Sequence, residues 1–190
     1  MFRYKLDADG NISRYKARLV AKGFLQKPGI NFDETFAPVV NYDSLCLLLA
    51  LSARNGWRPR QFDVKSAFLY GVQPELQTVY MQLPPGYRKP RYCVKLKKCI
   101  YGLKQSPREW YRRLSTFLEN CGFTATTFDP CVFVGKLCTL DSAADDTKLY
   151  ISIYIDDIVW FGPECLQADQ LIEQLKKEFD ITDLGMASWL

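Results

Sequence analysis

Tyr150-Ile151-Ser152-Ile153-Tyr154-Ile155-Asp156-Asp157-Ile158-Val159-Trp160-Phe161-Gly162 is an apolar, β-branched and aromatic run broken by two adjacent aspartates. Strong β formers on both sides predict two strands, with the Asp-Asp pair as the tight connection between them. Such a hairpin carries two like charges at its tip. They repel each other, and their apolar neighbours solvate them poorly. A metal cation is the simplest compensation. An Asp-rich surface turn is the plain alternative, since Asp is an ordinary turn residue. The rest of the chain has to choose between them.

At 190 residues the chain is one large domain or two small lobes. Its 48% apolar and 24% charged residues are those of a globular protein. No apolar run reaches the length of a membrane span, and the charged N-terminus lacks a signal-peptide pattern. No membrane association is expected. The seven cysteines form no C-x-x-C pair, which argues against zinc and thioredoxin-like sites. They are expected to be reduced and mostly buried. The chain has no histidine. Ser-His-Asp and Cys-His nucleophilic sites are thereby excluded, as are His-ligated metals. A metal site here must use carboxylate oxygen, which suits Mg²⁺ or Mn²⁺.

Charge is unevenly spread. Residues 88–113 hold ten Lys/Arg against one acid, Glu109, and residues 139–190 hold eleven acids against three lysines. The basic middle suits a polyanionic partner, although a solvated helix face would look the same.

The element order begins with a hairpin: strands Phe2 to Leu6 and Ile12 to Ala21 around an Asp-Gly turn. Alternation in its second strand puts Arg14, Lys16 and Arg18 on one face and Tyr15, Ala17 and Leu19 on a packing face. Residues 23–41 read as loop. Asp43 or Ser44 is expected to cap a helix over Leu45 to Asn55, buried on most faces and ended by Gly56. Gln61 to Val64 is a short strand with Asp63 near its end, and Lys65 to Tyr70 turn off it. Strands over 79–83 and 93–101 flank Pro84-Pro85-Gly86. Ser106-Pro107-Arg108-Glu109 has the pattern of a capping box, opening a helix that Gly122 stops. Strands at 131–134 and 147–155 are expected to pair across a loop from Thr139 to Asp146. An amphipathic helix spans about Glu164 to Phe179. The sum is an α+β fold, with a mainly antiparallel sheet and helices on one side.

Several blocks together resemble the reverse transcriptase of copia-type LTR retrotransposons. They are Arg14-Tyr15-Lys16-Ala17-Arg18-Leu19-Val20-Ala21-Lys22-Gly23-Phe24, Glu34-Thr35-Phe36-Ala37-Pro38-Val39 and Asp63-Val64-Lys65-Ser66-Ala67-Phe68-Leu69. Ile100-Tyr101-Gly102-Leu103-Lys104-Gln105-Ser106-Pro107-Arg108-Glu109-Trp110-Tyr111 follows, then Tyr154-Ile155-Asp156-Asp157 and Asp183-Leu184-Gly185. They cover nearly the whole chain in the family's order. Two departures stand out. Ile155 replaces a more familiar valine, and the loop from Gly135 to Asp146 is longer than usual.

The resemblance implies a right-hand polymerase: residues 1–40 and 71–104 fingers-like, 41–70 and 105–190 palm-like, with the thumb absent. It implies RNA-directed DNA polymerisation by two metal ions, Mg²⁺ or Mn²⁺, about 3.5–4 Å apart. Asp63, Asp156 and Asp157 would be the catalytic, metal-holding acids, with the Val64 carbonyl a minor ligand. Asp63 and Asp156 are expected to come close enough to share an ion. Phe68 would disfavour a 2′-hydroxyl, though a plain core Phe would read alike. Tyr101 and Gly102 would line the nucleotide pocket, and Lys16 and Arg18, with Lys22 beside them, would meet the triphosphate. Lys97, Lys98, Lys104, Arg108 and Arg112 would track the nucleic-acid backbone. Implied partners are an RNA template, a DNA or RNA primer, deoxynucleoside triphosphates and the rest of a retrotransposon polyprotein. The location would be intracellular, in a cytoplasmic particle or the nucleus. The resemblance also makes the chain a polyprotein piece or a truncated copy. As an isolated fragment it could bind nucleic acid without catalysis.

Overall fold

Val, Ile and aromatic runs become strands, and apolar residues at helical spacing become helices. The computed structural model describes residues 1–7, 9–74, 78–136 and 148–187. In chain order the strands and helices are β1 (Phe2–Leu6), β2 (Ile12–Ala17), α1 (Tyr42–Asn55), β3 (Arg60–Val64), β4 (Tyr80–Gln82), β5 (Cys93–Lys95), α2 (Ser106–Asn120), β6 (Thr124–Ala125), β7 (Val132–Lys136), β8 (Lys148–Tyr154), β9 (Asp157–Phe161), α3 (Leu166–Glu178) and β10 (Ile181–Met186). They fall into two compact units. The expected Thr139–Asp146 loop, Cys138 and the start of a strand at 147 lie outside the described residues.

One unit comprises Met1–Phe36 and Phe68–Trp110. β1 and β2 pair antiparallel, and the Asp7 carboxylate accepts the backbone N–H groups of Asp9 and Asn11 to close their turn. The expected packing face is not buried: Tyr15 is 79% exposed and Leu19 53%. Regular pairing also stops at Ala17, short of Ala21, because the chain turns to bridge Val20 with Tyr101. β4 and β5 form a second short hairpin. Ala21, Val79, Ile100 and Leu103 make a buried cluster, with Met81 and Leu96 against it.

The other unit comprises Ala37–Ala67 and Tyr111–Leu190. Its six-stranded sheet runs β10-β3-β9-β8-β7-β6, every pair antiparallel. α1 covers one face, where Leu48 is buried with Val132, Val159 and Phe161. α3 meets the other: Arg60, opposite Trp160, pairs with Asp169 at 3.5 Å. α2 joins α3 through Phe117 and Phe179, whose ring centroids lie 5.3 Å apart. The helices therefore flank both faces rather than one. Val159 and Trp160 are both buried on opposite sides of β9, so each side needs cover.

Four local expectations differ. The N-cap of α1 is Asn41, whose side chain accepts the Asp43 N–H, rather than Asp43 or Ser44. Only Leu48 and Ser52 of α1 are buried, so its leucines do not face a core on most sides. At α2, Ser106 does not cap: its hydroxyl donates to the Ile100 carbonyl at 2.7 Å, and the Glu109 N–H goes to the Gln105 carbonyl. The cysteines are not mostly buried either. Cys99 and Cys131 are buried, whereas Cys46 and Cys93 are exposed.

Candidate active site

Asp63 sits between buried Phe62 and Val64, so alternation turns it to the opposite face of β3. Its direct cross-strand partner on β9 is Asp157. Asp157 in turn stands opposite Tyr154 of β8. The hairpin loop is therefore Ile155-Asp156, not Asp156-Asp157. Asp157 is the first strand residue, its face set by the sheet. Ile155 adopts φ +55°, a left-handed conformation that β-branched residues avoid. The tip is tied down by its backbone, since the Val64 N–H donates to the Asp156 carbonyl at 2.8 Å.

Asp63 thus lies across from Asp157, the acid expected to be less direct, and not from Asp156. The Asp157 carboxyl titrates above its ordinary range. Burial is the main cause; the Gln61 amide opposes it, and the charges of Asp156 and Asp63 add to it. Gln61 Nε2 donates to Asp157 Oδ1 at 3.1 Å. The sequence reading overlooked Gln61. Its signal was positional: two residues before Asp63, it must share that face.

The donor set is all oxygen, so its chemistry fits a hard divalent cation. Mutual repulsion among the acids favours the same occupant. As the side chains stand, no three His, Cys, Asp or Glu groups among the described residues converge as a ready-made cage.

In the other unit the structure gathers Arg18, Tyr101 and Phe68. The Arg18 guanidinium lies 5.0 Å from the Tyr101 ring centroid, and the Phe68 ring meets Tyr101 edge-on at 4.9 Å. Lys16 stands opposite Arg3 in the β1–β2 register. Gly102, at φ +90°, makes its close approach to protein rather than to open space: an added Cβ would lie 2.2 Å from the Ala21 carbonyl oxygen. The Ala21 N–H donates to the Tyr101 carbonyl at 2.8 Å, so two backbones cross there. Buried Gln105 bonds Gln26, whose side-chain oxygen accepts the Lys104 N–H. A cavity of about 530 Å³ in this unit has Arg18, Lys22 and Arg88 among its lining residues.

The proposed backbone-tracking cations are in unlike settings. Lys97 and Lys98 are exposed. Lys104 lies 4.8 Å from the Phe32 ring centroid. Arg108 pairs with Glu34 and Glu109, so its charge is offset within the unit. Arg112 is exposed on α2.

Asp63 and Asp157 thus pair across adjacent antiparallel strands, beside a hairpin tip that carries Asp156. The family model described as reverse transcriptase (RNA-dependent DNA polymerase) matches residues 1–190, and the chain belongs to that family. Its relatives are transposon Pol polyproteins of copia type. It is 39% identical to the retrovirus-related Pol polyprotein from transposon TNT 1-94 of Nicotiana tabacum, over 98% of this chain and 14% of the relative. It is 37% identical to that from transposon RE2 of Arabidopsis thaliana, over 96% of this chain and 12% of the relative. The transposon Ty1-DR4 Gag-Pol polyprotein of Saccharomyces cerevisiae is 31% identical, over 97% of this chain and 11% of the relative. The chain therefore spans about one-seventh or less of these relatives' lengths. No solved structure matches it. Among the described residues, no helix is long and apolar enough to cross a membrane.

Proposed function

We propose that this chain is the catalytic core of an RNA-directed DNA polymerase working within a retrotransposon polyprotein. The observation that carries the reading is Asp63 paired across the sheet with Asp157, next to the Asp156 tip. Asp63, Asp156 and Asp157, with the Val64 carbonyl as a minor ligand, hold two divalent ions, Mg²⁺ or Mn²⁺. When bound, such ions neutralise charge on the attacking and leaving oxygens of phosphoryl transfer.

The remaining roles belong to the chain's own groups. Gln61 orients the Asp157 carboxylate through its amide. Arg18 offers positive charge to a triphosphate, with Lys16 and Lys22 as further cations of the same stretch. Phe68, braced by Tyr101, disfavours a 2′-hydroxyl and so selects deoxynucleotides. Gly102 keeps the Tyr101 turn tight. Lys97, Lys98, Lys104, Arg108 and Arg112 favour an RNA template with a DNA or RNA primer, bound in a salt-sensitive way. Residues 1–40 and 71–104 act as fingers, 41–70 and 105–190 as palm. The setting is intracellular, in a cytoplasmic particle or the nucleus.

Primer extension on an RNA template with Mg²⁺ or Mn²⁺ tests this. Extension should occur and fall by at least about 100-fold in Asp156→Asn. Undiminished extension by that variant would remove the acids from the chemistry. Salt-sensitive binding without incorporation at any protein concentration would leave a catalytically silent nucleic-acid-binding fragment.

A further inference from the structure

The β4–β5 hairpin carries exposed tyrosines to which the proposed function gives no role. Alternation divides its residues cleanly. Met81 packs inward beside Leu96 against the Ala21–Val79–Ile100–Leu103 cluster. Tyr80, Gln82, Cys93 and Lys95 are the exposed positions on these two strands, and Tyr80 stands directly opposite Lys95. The connection adds Tyr87 and Tyr92. Tyr80, Tyr87 and Tyr92 are 62%, 73% and 71% exposed, so each shows most of its ring to solvent.

The same segment is strongly cationic. Residues 78–98 contain Arg88, Lys89, Arg91, Lys95, Lys97 and Lys98, with no Asp or Glu among them. The connection is also shaped locally: the Tyr87 N–H donates to the Pro84 carbonyl at 3.0 Å, and the Tyr92 N–H to the Lys89 carbonyl at 3.2 Å. Each bond closes a turn beside a tyrosine, and three cations stand close to these rings in sequence.

We infer that this hairpin is a stacking platform for single-stranded nucleic acid, in which Tyr80, Tyr87 and Tyr92 take unpaired bases and the neighbouring cations take phosphates. Charge complementarity selects a polyanion. The exposed rings select a single strand, because bases within a duplex are already stacked on one another and leave no face for tyrosine. Stacking is indifferent to base identity, since every base has a π-face. The phenolic hydroxyls are dispensable in this role.

The inference takes its partner class from the proposed function, but its test needs neither metal nor nucleotide. Binding of a labelled 20-nucleotide single-stranded RNA and of a blunt duplex RNA of equal length is measured by fluorescence anisotropy across salt concentrations, in the presence of EDTA. Single-strand affinity should fall on the order of 10-fold for each Tyr→Ala change. Tyr→Phe should restore it, and duplex affinity should stay within about 2-fold. Arg88→Gln with Lys89→Gln should instead flatten the salt dependence for both RNAs. The triple Tyr→Ala variant must keep the parent melting temperature, as expected for exposed side chains. Unchanged single-strand binding by that folded variant overturns the inference. Equal loss for duplex and single strand overturns it too, as does preferential binding of an acidic peptide that RNA does not displace. A chain that extends primers yet ignores the tyrosine changes keeps the catalytic reading and loses this one. A chain that binds through the tyrosines without extending primers does the reverse.

Discussion

Ile155 turns the central hairpin at φ +55° although a β-branched side chain disfavours that region. Glycine adopts it freely, so Ile155→Gly should stabilise the chain by about 1 kcal/mol in urea unfolding. Destabilisation would show that the isoleucine side chain contributes more than its backbone strain costs. Asp157, two residues on, has its carboxyl pushed up by burial, against the Gln61 amide and with help from Asp156 and Asp63. The native chain therefore keeps this proton at pH values where the unfolded chain has released it. Stability should fall as pH rises from the ordinary carboxylate value through the raised one, and stay lower above it. Asp157→Asn should melt higher than the parent at neutral pH, with the difference vanishing below the ordinary carboxylate range. Equal melting temperatures at pH 7 would contradict the crowded-acid account. Mg²⁺ gives an independent readout. At ten times its dissociation constant it should stabilise the parent by about 1.4 kcal/mol and Asp157→Asn by less. A parent unfolding curve indifferent to Mg²⁺ would remove these acids as ligands.

At the scale of elements, α1 shows how a helix rich in leucine can bury one ridge alone. Leu48 lies among Val132, Val159 and Phe161, while Leu47 is 69% exposed. Leu48→Ala should cost about 2–5 kcal/mol and Leu47→Ala within about 0.5 kcal/mol, both read by urea unfolding. Similar costs would mean that the helix is rotated. The edge strand β10 depends on a polar clasp instead. Arg60 pairs with Asp183 at 2.7 Å, and the Gly185 N–H donates to the same carboxylate at 2.9 Å. Burial alone would raise the Asp183 carboxyl, but the Gly185 N–H and Arg60 outweigh it and hold it low. The clasp contributes fully above the ordinary carboxylate value and is lost as pH falls through the lowered one. Amide-exchange protection along β10 should drop across that acid window, and Asp183→Asn should show the loss already at neutral pH. These elements also show where sequence reading works and where it stops. The strands around Asp156-Asp157 and the strand ending near Asp63 were legible, because β-branched runs and period-two alternation are local signals. The identity of the turn pair was not: Asp is a better turn residue than Ile, and the pairing of Tyr154 with Asp157 overrode that preference. The capping box at Ser106 failed similarly. Its hydroxyl found the Ile100 carbonyl, a partner that local spacing at the helix start does not reveal. Gly102 was read as lining a nucleotide pocket; the close approach of the Ala21 backbone, which also requires a glycine there, is a long-range contact that local sequence does not reveal.

At the scale of the whole molecule, the two compact units differ in what fills them. The Met1–Phe36 and Phe68–Trp110 unit buries an aliphatic cluster of Ala21, Val79, Ile100 and Leu103, with Phe32 and Trp110 as its buried aromatics. The Ala37–Ala67 and Tyr111–Leu190 unit encloses Phe62, Phe133, Phe161 and Phe179 beside a six-stranded sheet. Aromatic burial stabilises more per residue than aliphatic burial, so the sheet unit should open at the higher denaturant concentration. The cysteines report on each unit separately. Cys93 is exposed and Cys99 buried in the first, and Cys46 is exposed and Cys131 buried in the second. Burial pushes the Cys99 thiol up to about 11 and the Cys131 thiol up to about 12. Both are unreactive while the fold is closed, since the thiolate is the nucleophile. Thiol labelling in rising urea, read by peptide mass, should modify Cys46 and Cys93 at once. Cys99 should follow at a lower urea concentration than Cys131. Simultaneous exposure of Cys99 and Cys131 would mean that the units unfold as one cooperative body. The reverse order would mean that the turn network around Gln105 and Gly102 holds its unit more firmly than the aromatic core holds the sheet.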